Sequence, residues 1–165
     1  MMTFDPDAAA LPESGLFGLP INKEDSAVHV IAAPFDATSS YGDGAAEGPD
    51  AIYRASHQVE LHDPMAGDPW RSGIYYIPDD GSIAGFNEEA RPLAKEILAA
   101  GGAGDDPELL RSLSRVNALS EGMNTEVYLR TSAAFDGGRS PIILGGDHSV
   151  AFGAVRAAAE RHPGL

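Results

Sequence analysis

The chain has 165 residues, 43% of them hydrophobic, and no cysteine. It is long enough for one domain with its own core, and it excludes disulfides, thiolate metal sites and a cysteine nucleophile. Its 25 acidic and 11 basic side chains give a formal net charge of -14, which repels phosphate backbones and anionic membranes and argues against nucleic-acid and membrane partners.

The opening MMTFDPDAAALPESG has neither a basic n-region nor an apolar h-region, and no run of about 18 apolar residues follows, so a cytoplasmic protein is expected. Residues 1–26, rich in Pro, Gly and acidic side chains, read as an N-terminal arm that wraps the domain or is mobile; the domain itself spans 27–165. VHVIAA (28–33) is a short β-branched run before Pro34, the pattern of a strand buried on both faces. After a long polar loop, Pro49 suits the first turn of a helix that DAIYRASHQV (50–59) continues, with Asp50 near its positive end. GIYYIPDDG (73–81) reads as a second strand ending in a turn.

A helix is expected over 91–100, with Pro92 in its first turn and Gly101 and Gly102 ending it. Asp106 then caps a longer helix that Pro107 opens, and Leu109, Leu113, Val116, Met123 and Val127 form its core stripe. PIIL (141–144) is the third strand, and a last helix from Ser149 or Val150 turns Val150, Ala154, Val155 and Ala158 to the sheet. The alternation predicts an α/β fold, a parallel sheet with helices on both faces. Only three strands are convincing, and the last helix has the place of a crossover to a fourth, so the sheet is expected to be incomplete at the C-terminus.

Functional loops of open α/β sheets lie at the carboxyl ends of strands. Two segments occupy that position, 34–48 and the GGDHS turn at 145–149. Glycines at 145 and 146 let the backbone approach a ligand, His148 can offer an imidazole nitrogen to a metal, and Asp147 can orient the neighbouring loop or support the ligand. Two other readings exist. Asp147 and Ser149 can simply cap the next helix while His148 fills space, or the turn can cradle a phosphate; the second is disfavoured because no Lys follows and Asp147 repels the anion. In the first loop Asp36, Ser39, Ser40, Tyr41, Asp43 and Glu47 can line a cleft rim or merely make a long polar connection. His57 and His62, five apart, do not share a helix face. His29 reads as a core histidine and His162 as a partner of a helix end.

Taken together, VIAAPFDATSSYGDGAAEGPDAIYRAS and PIILGGDHSVAFGAV resemble the ureohydrolase family, the arginase and agmatinase superfamily, over roughly 27–165. The resemblance implies a three-layer α/β/α fold and a binuclear manganese centre held by two histidines and four aspartates from three motifs. It also implies hydrolysis of a guanidine or amidine C–N bond, usually releasing urea. Two metal ions activate water near neutral pH, and hard oxygen ligands suit manganese. Carried over by position, it makes His148 a metal ligand, Asp147 its support, and Asp36, Ser40, Tyr41 and Gly44 part of the substrate-facing wall. The family's DAHxD and DxDxxDP motifs are not in this sequence, so 27–165 is expected to be the N-terminal part of a ureohydrolase domain, inactive alone. The expected substrate is a small guanidine or amidine, agmatinase-like first with formiminoglutamate as competitor, and a homo-oligomer is implied for the complete enzyme. The alternative is a non-catalytic binding module or pseudoenzyme derived from that family, pairing through an open sheet edge.

Overall fold

The computed structural model describes residues 4–6, 8–11 and 14–164; positions 1–3, 7 and 12–13 of the predicted arm, and residue 165, lie outside the described residues. Strands β1 (Val28–Ala33), β2 (Ile74–Ile77) and β3 (Ser140–Gly145) form a parallel sheet in the order β2-β1-β3. The register pairs Val28 with both Ile74 and Ser140, and Ala33 with Gly145. β1 and β3 therefore finish level, which sets the two sequence-predicted loops side by side. β1 is the central strand and, as its composition predicts, almost entirely buried.

Side-chain alternation separates two helical layers. Tyr76 of β2 stacks on Tyr53 of helix α1 (Gly48–Ala55) with centroids 4.8 Å apart. The next residue, Ile77, lies on the opposite face and shares a small cavity with Arg130 and Ala134 of helix α3 (Pro107–Asp136). Helices α2 (Ser82–Ala99) and α4 (Ala151–Arg161) pack against α3 in that second layer. The fold is thus α/β/α, as expected. Its main core joins Ala33 and Phe35 to Ile83, Ala90, Leu119, Met123, Val127 and Val150; full burial of a large apolar side chain contributes about 1.5–3 kcal/mol.

Several local readings are realised. Asp106 caps α3, its carboxylate accepting from the Glu108 and Leu109 amides at 2.8 and 3.3 Å. Val116, Met123 and Val127 are buried, while Leu109 and Leu113 pack more loosely against Ala94, Ile97 and Val116. Residues ahead of β1 contact α1 and the turn after it: the Tyr53 hydroxyl donates to Ser14 O at 2.7 Å, the Phe17 amide to Ser56 Oγ at 2.9 Å, and Leu16 and Leu19 are buried.

Others need correction. α2 begins at Ser82, so Pro92 sits inside the helix rather than in its first turn. Asp79 makes the earlier start possible: its carboxylate accepts from the Gly81, Ile83 and Ala84 amides at 3.0–3.3 Å. Pro92 itself is exposed, so water can reach the carbonyl it leaves unpaired. α1 stops at Ala55 rather than running to 59, because Ser56 Oγ donates to Tyr53 O at 2.7 Å and ties the chain to the arm. After buried Val150, the inward face of α4 is buried Gly153 and Ala157 with half-buried Ala154, and Val155 is 63% exposed. His148–Val150 form a 3-10 turn that changes the phase, and Gly153 allows close approach to α3, since a β-carbon there would lie 2.3 Å from Asn124 O.

Candidate functional site

The site is built where β1 and β3 end. Gly146 N donates to Ala33 O at 3.2 Å and Asp147 N to Phe35 O at 2.9 Å, so the 145–149 turn is laced to the chain leaving β1. The two glycines make this close packing possible: a β-carbon on Gly146 would stand 2.0 Å from Phe35 O, and one on Gly145 2.6 Å from a Val150 methyl.

Asp147 makes two sets of contacts. One carboxylate oxygen accepts from the Ser149 amide and hydroxyl at 2.9 and 2.5 Å and caps the turn. The other accepts from the Thr38 amide and hydroxyl at 3.0 and 2.6 Å and so binds the first loop. His148, between these contacts, is exposed on the same rim, and no hydrogen bond, ion pair or ring contact engages its imidazole among the described residues. It does not fill interior space.

The first loop divides into inward and outward parts. Ser40 is exposed, Tyr41 is 96% exposed, and Gly44, also exposed, takes φ 98°, a left-handed geometry glycine adopts without strain. Asp36 must be reassigned: it is 3% exposed and its carboxylate accepts from the Gly44 and Ala46 amides (3.0 and 3.3 Å) and Asn87 Nδ2 (3.2 Å). It knots the loop from inside, and its own carboxylate is turned away from solvent. Sequence reasoning missed Asn87 and Arg91 on α2. The Arg91 guanidinium donates to Asp36 O, Ser39 O and Gly42 O at 2.8, 3.0 and 2.9 Å and pairs with the Asp43 carboxylate. Hydrogen bonds from Lys95 and Arg91 hold the Asp43 carboxyl below the usual range. The only sequence signal for this clamp was a basic pair, Arg91 and Lys95, one turn apart on a helix facing an acidic loop.

A cleft of about 430 Å³ opens at the same end of the sheet but on the β1–β2 side, lined by Pro34, Glu47, Asp50, Arg54, Asp79 and Glu88 among others. Ser40, Tyr41, Asp147 and His148 do not line it. Nearby, burial foremost, then Asp50, Tyr53 and Asp79, push the Tyr76 phenol up to about 12. At the start of α2, hydrogen bonds from Ser82, followed by the Arg130 charge, pull the Asp80 carboxyl down to about 2.

The remaining histidines have structural partners. His57 Nε2 meets Gly15 O at 3.2 Å, His62 Nδ1 meets Asp68 at 3.3 Å, buried His29 meets Lys23 O at 3.1 Å, and His162 packs edge-on to Phe135. Among the described residues no three His, Asp or Glu side chains converge as a metal-holding group. One free imidazole does not fit a binuclear centre, so these residues do not hold one by themselves.

The arginase family model matches residues 26–165, both loops and the whole sheet included. The chain belongs to the arginase family. Within the family's curated members it is similar to the N(1)-aminopropylagmatine ureohydrolase of Synechocystis sp., 30% identical over 135 residues, which cover 81% of this chain and 35% of that protein. This arginase-family chain thus spans about a third of the length of the curated relative it matches. No solved structure matches it. Among the described residues no helix is long and apolar enough to cross a membrane.

Proposed function

We propose that this chain is the N-terminal part of a cytoplasmic, manganese-dependent ureohydrolase that cleaves the C–N bond of a small guanidine or amidine and releases urea. The observation that carries the reading is the unengaged imidazole of His148, held at the rim that the first loop shares, in a chain of the arginase family. In this reading His148 supplies one ligand, Asp147 holds the ligand's turn against Thr38, and Ser40 and Tyr41 face the substrate from the loop. The remaining ligands come from polypeptide outside these 165 residues. An agmatinase-like guanidinoalkylamine is the preferred substrate class: the curated relative is named for aminopropylagmatine, and a net charge of -14 favours a cationic substrate. The complete enzyme is a homo-oligomer.

The topology supports further strands. α2 and α3 carry the chain from β2 past β1 to β3, and α4 packs on that same side of the sheet. Crossovers are right-handed, so a crossover through α4 continues in the same direction, beyond the free edge of β3. Ile142 on that strand is 50% exposed.

The same open edge favours a second reading, a non-catalytic module that pairs with another chain through β3. The experiment that separates them reads the coding sequence beyond the codon for Leu165 and assays both products. The reading expects a DAHxD segment downstream, metal-dependent urea release by the longer product and none by the 165-residue chain. Metal-dependent urea release by the short chain refutes the assignment of the missing ligands, and an inactive long product with both motifs refutes the enzyme reading.

A further inference from the structure

We propose that Arg91, on a helix remote from the turn, is a positioning residue for His148, acting through the first loop, Thr38 and Asp147. The His148 imidazole makes no hydrogen bond, ion pair or ring contact of its own among the described residues, so its placement is inherited from the backbone of the 145–149 turn. That turn is tied to the first loop by the paired donation of Thr38 to Asp147. Thr38 in turn is held on both sides. Before it, Asp36 is latched to Asn87, whose Oδ1 accepts from the Asp36 amide at 2.8 Å while its Nδ2 donates to the carboxylate at 3.2 Å. Around it, the Arg91 guanidinium, only 14% exposed, gathers the carbonyls of Asp36, Ser39 and Gly42 and the Asp43 carboxylate. Only a planar fork with five donors satisfies so many acceptors in one loop; a lysine ammonium, with three donors at a point, reaches part of the set. Asn87 and Arg91 lie one helical turn apart on the same face, so α2 presents both grips together. The inference takes its purpose from the reading of His148 as a ligand, but its contacts stand without it.

The test uses the isotope-labelled full chain without metal or substrate, so its result is separate from that of the hydrolase assay. Amide hydrogen exchange and ring relaxation are compared among the wild type, Arg91→Lys, Thr38→Val and the double variant, with exposed His62 as the ring control. Each single substitution is expected to speed exchange at Gly146, Asp147 and Ser149 roughly five- to tenfold, the loss of about one net hydrogen bond, and to increase His148 ring motion alone. The double variant should add little to either single, because both weaken one relay, of which Thr38→Val removes the hydroxyl bond and leaves the amide bond to Asp147. Global loosening would instead speed exchange through α3 and the β1–β2 pair. An Arg91→Lys chain that loosens 36–44 but leaves 145–149 and the His148 ring unchanged, or a double variant whose effects sum, overturns the proposal. If Arg91→Lys unfolds the chain, Asn87→Ala, which cuts only the Asp36 latch, takes its place under the same two criteria.

Discussion

Replacing Gly146 by alanine tests the central geometric claim, that two loops meet at the rim only because no side chain stands between them. The added methyl would lie 2.0 Å from Phe35 O and 2.6 Å from the Phe35 carbonyl carbon, both backbone atoms that cannot swing aside like the tip of a side chain. The turn must therefore lift off β1. Overpacking of a tight contact costs about 1–3 kcal/mol, and the displacement also strains two backbone hydrogen bonds, Gly146 to Ala33 and Asp147 to Phe35, worth about 0.5–1.5 kcal/mol each. The expected loss is about 2–6 kcal/mol. Gly85 is the control: it lies within α2 with no atom beyond the helix's own nearby backbone within 4 Å of a built β-carbon, so alanine there should stabilise the chain by about 0.5–1 kcal/mol. Urea unfolding followed by circular dichroism reads both changes as shifts in midpoint at constant slope. A Gly146→Ala chain within ~0.5 kcal/mol of the wild type, or a Gly85→Ala chain destabilised to the same degree, refutes the reasoning.

Two further predictions concern the second helical layer. The Asp80 carboxyl titrates near 2 in the folded chain, below its ordinary 3.8, so the start of α2 gains stability from it that is fully present above the ordinary value and lost as pH falls through the folded one. Thermal melts should show the wild type's advantage over Asp80→Asn shrinking from pH 5 to pH 2; a constant difference contradicts the Ser82 and Arg130 contacts as its cause. On α4, Val155→Lys should leave the melting temperature nearly unchanged, within ~0.5 kcal/mol, whereas Ala157→Leu should cost about 1–3 kcal/mol by forcing α4 from α3. The reverse order would restore the sheet-facing stripe that the sequence pattern suggested.

Legibility in the sequence followed the range of the interaction. The Asp106 cap was readable because donor and acceptor lie two and three residues apart, and the β1 and β3 runs because β-branched residues between breakers have few alternatives. The start of α2 was not, because the cue against it was Pro92 and the compensation came from Asp79, held by Arg130 more than a helix away. In α4 a periodic stripe favoured Val155, but the small pair Gly153 and Ala157 determined which face could come close to α3.

The candidate site divides in the same way. The residues of the turn, the strand end that carries it and the polar loop facing it follow from the order of residues alone, since strand ends and glycine turns are local features. Whether a carboxylate points outward or inward does not. Asp36 and Asp43 sit in one loop and look alike in the sequence, yet one is buried under Asn87 and backbone amides and the other is exposed against Lys95 and Arg91. Those partners are supplied by a helix some fifty positions later, and only the packing of α2 across the sheet brings them there. Chain order determined which groups are available at the rim; the tertiary structure decided which of them remain free, because polar atoms that are buried, such as the Asp36 carboxylate, must find partners, while those left at the exposed part of the loop need none.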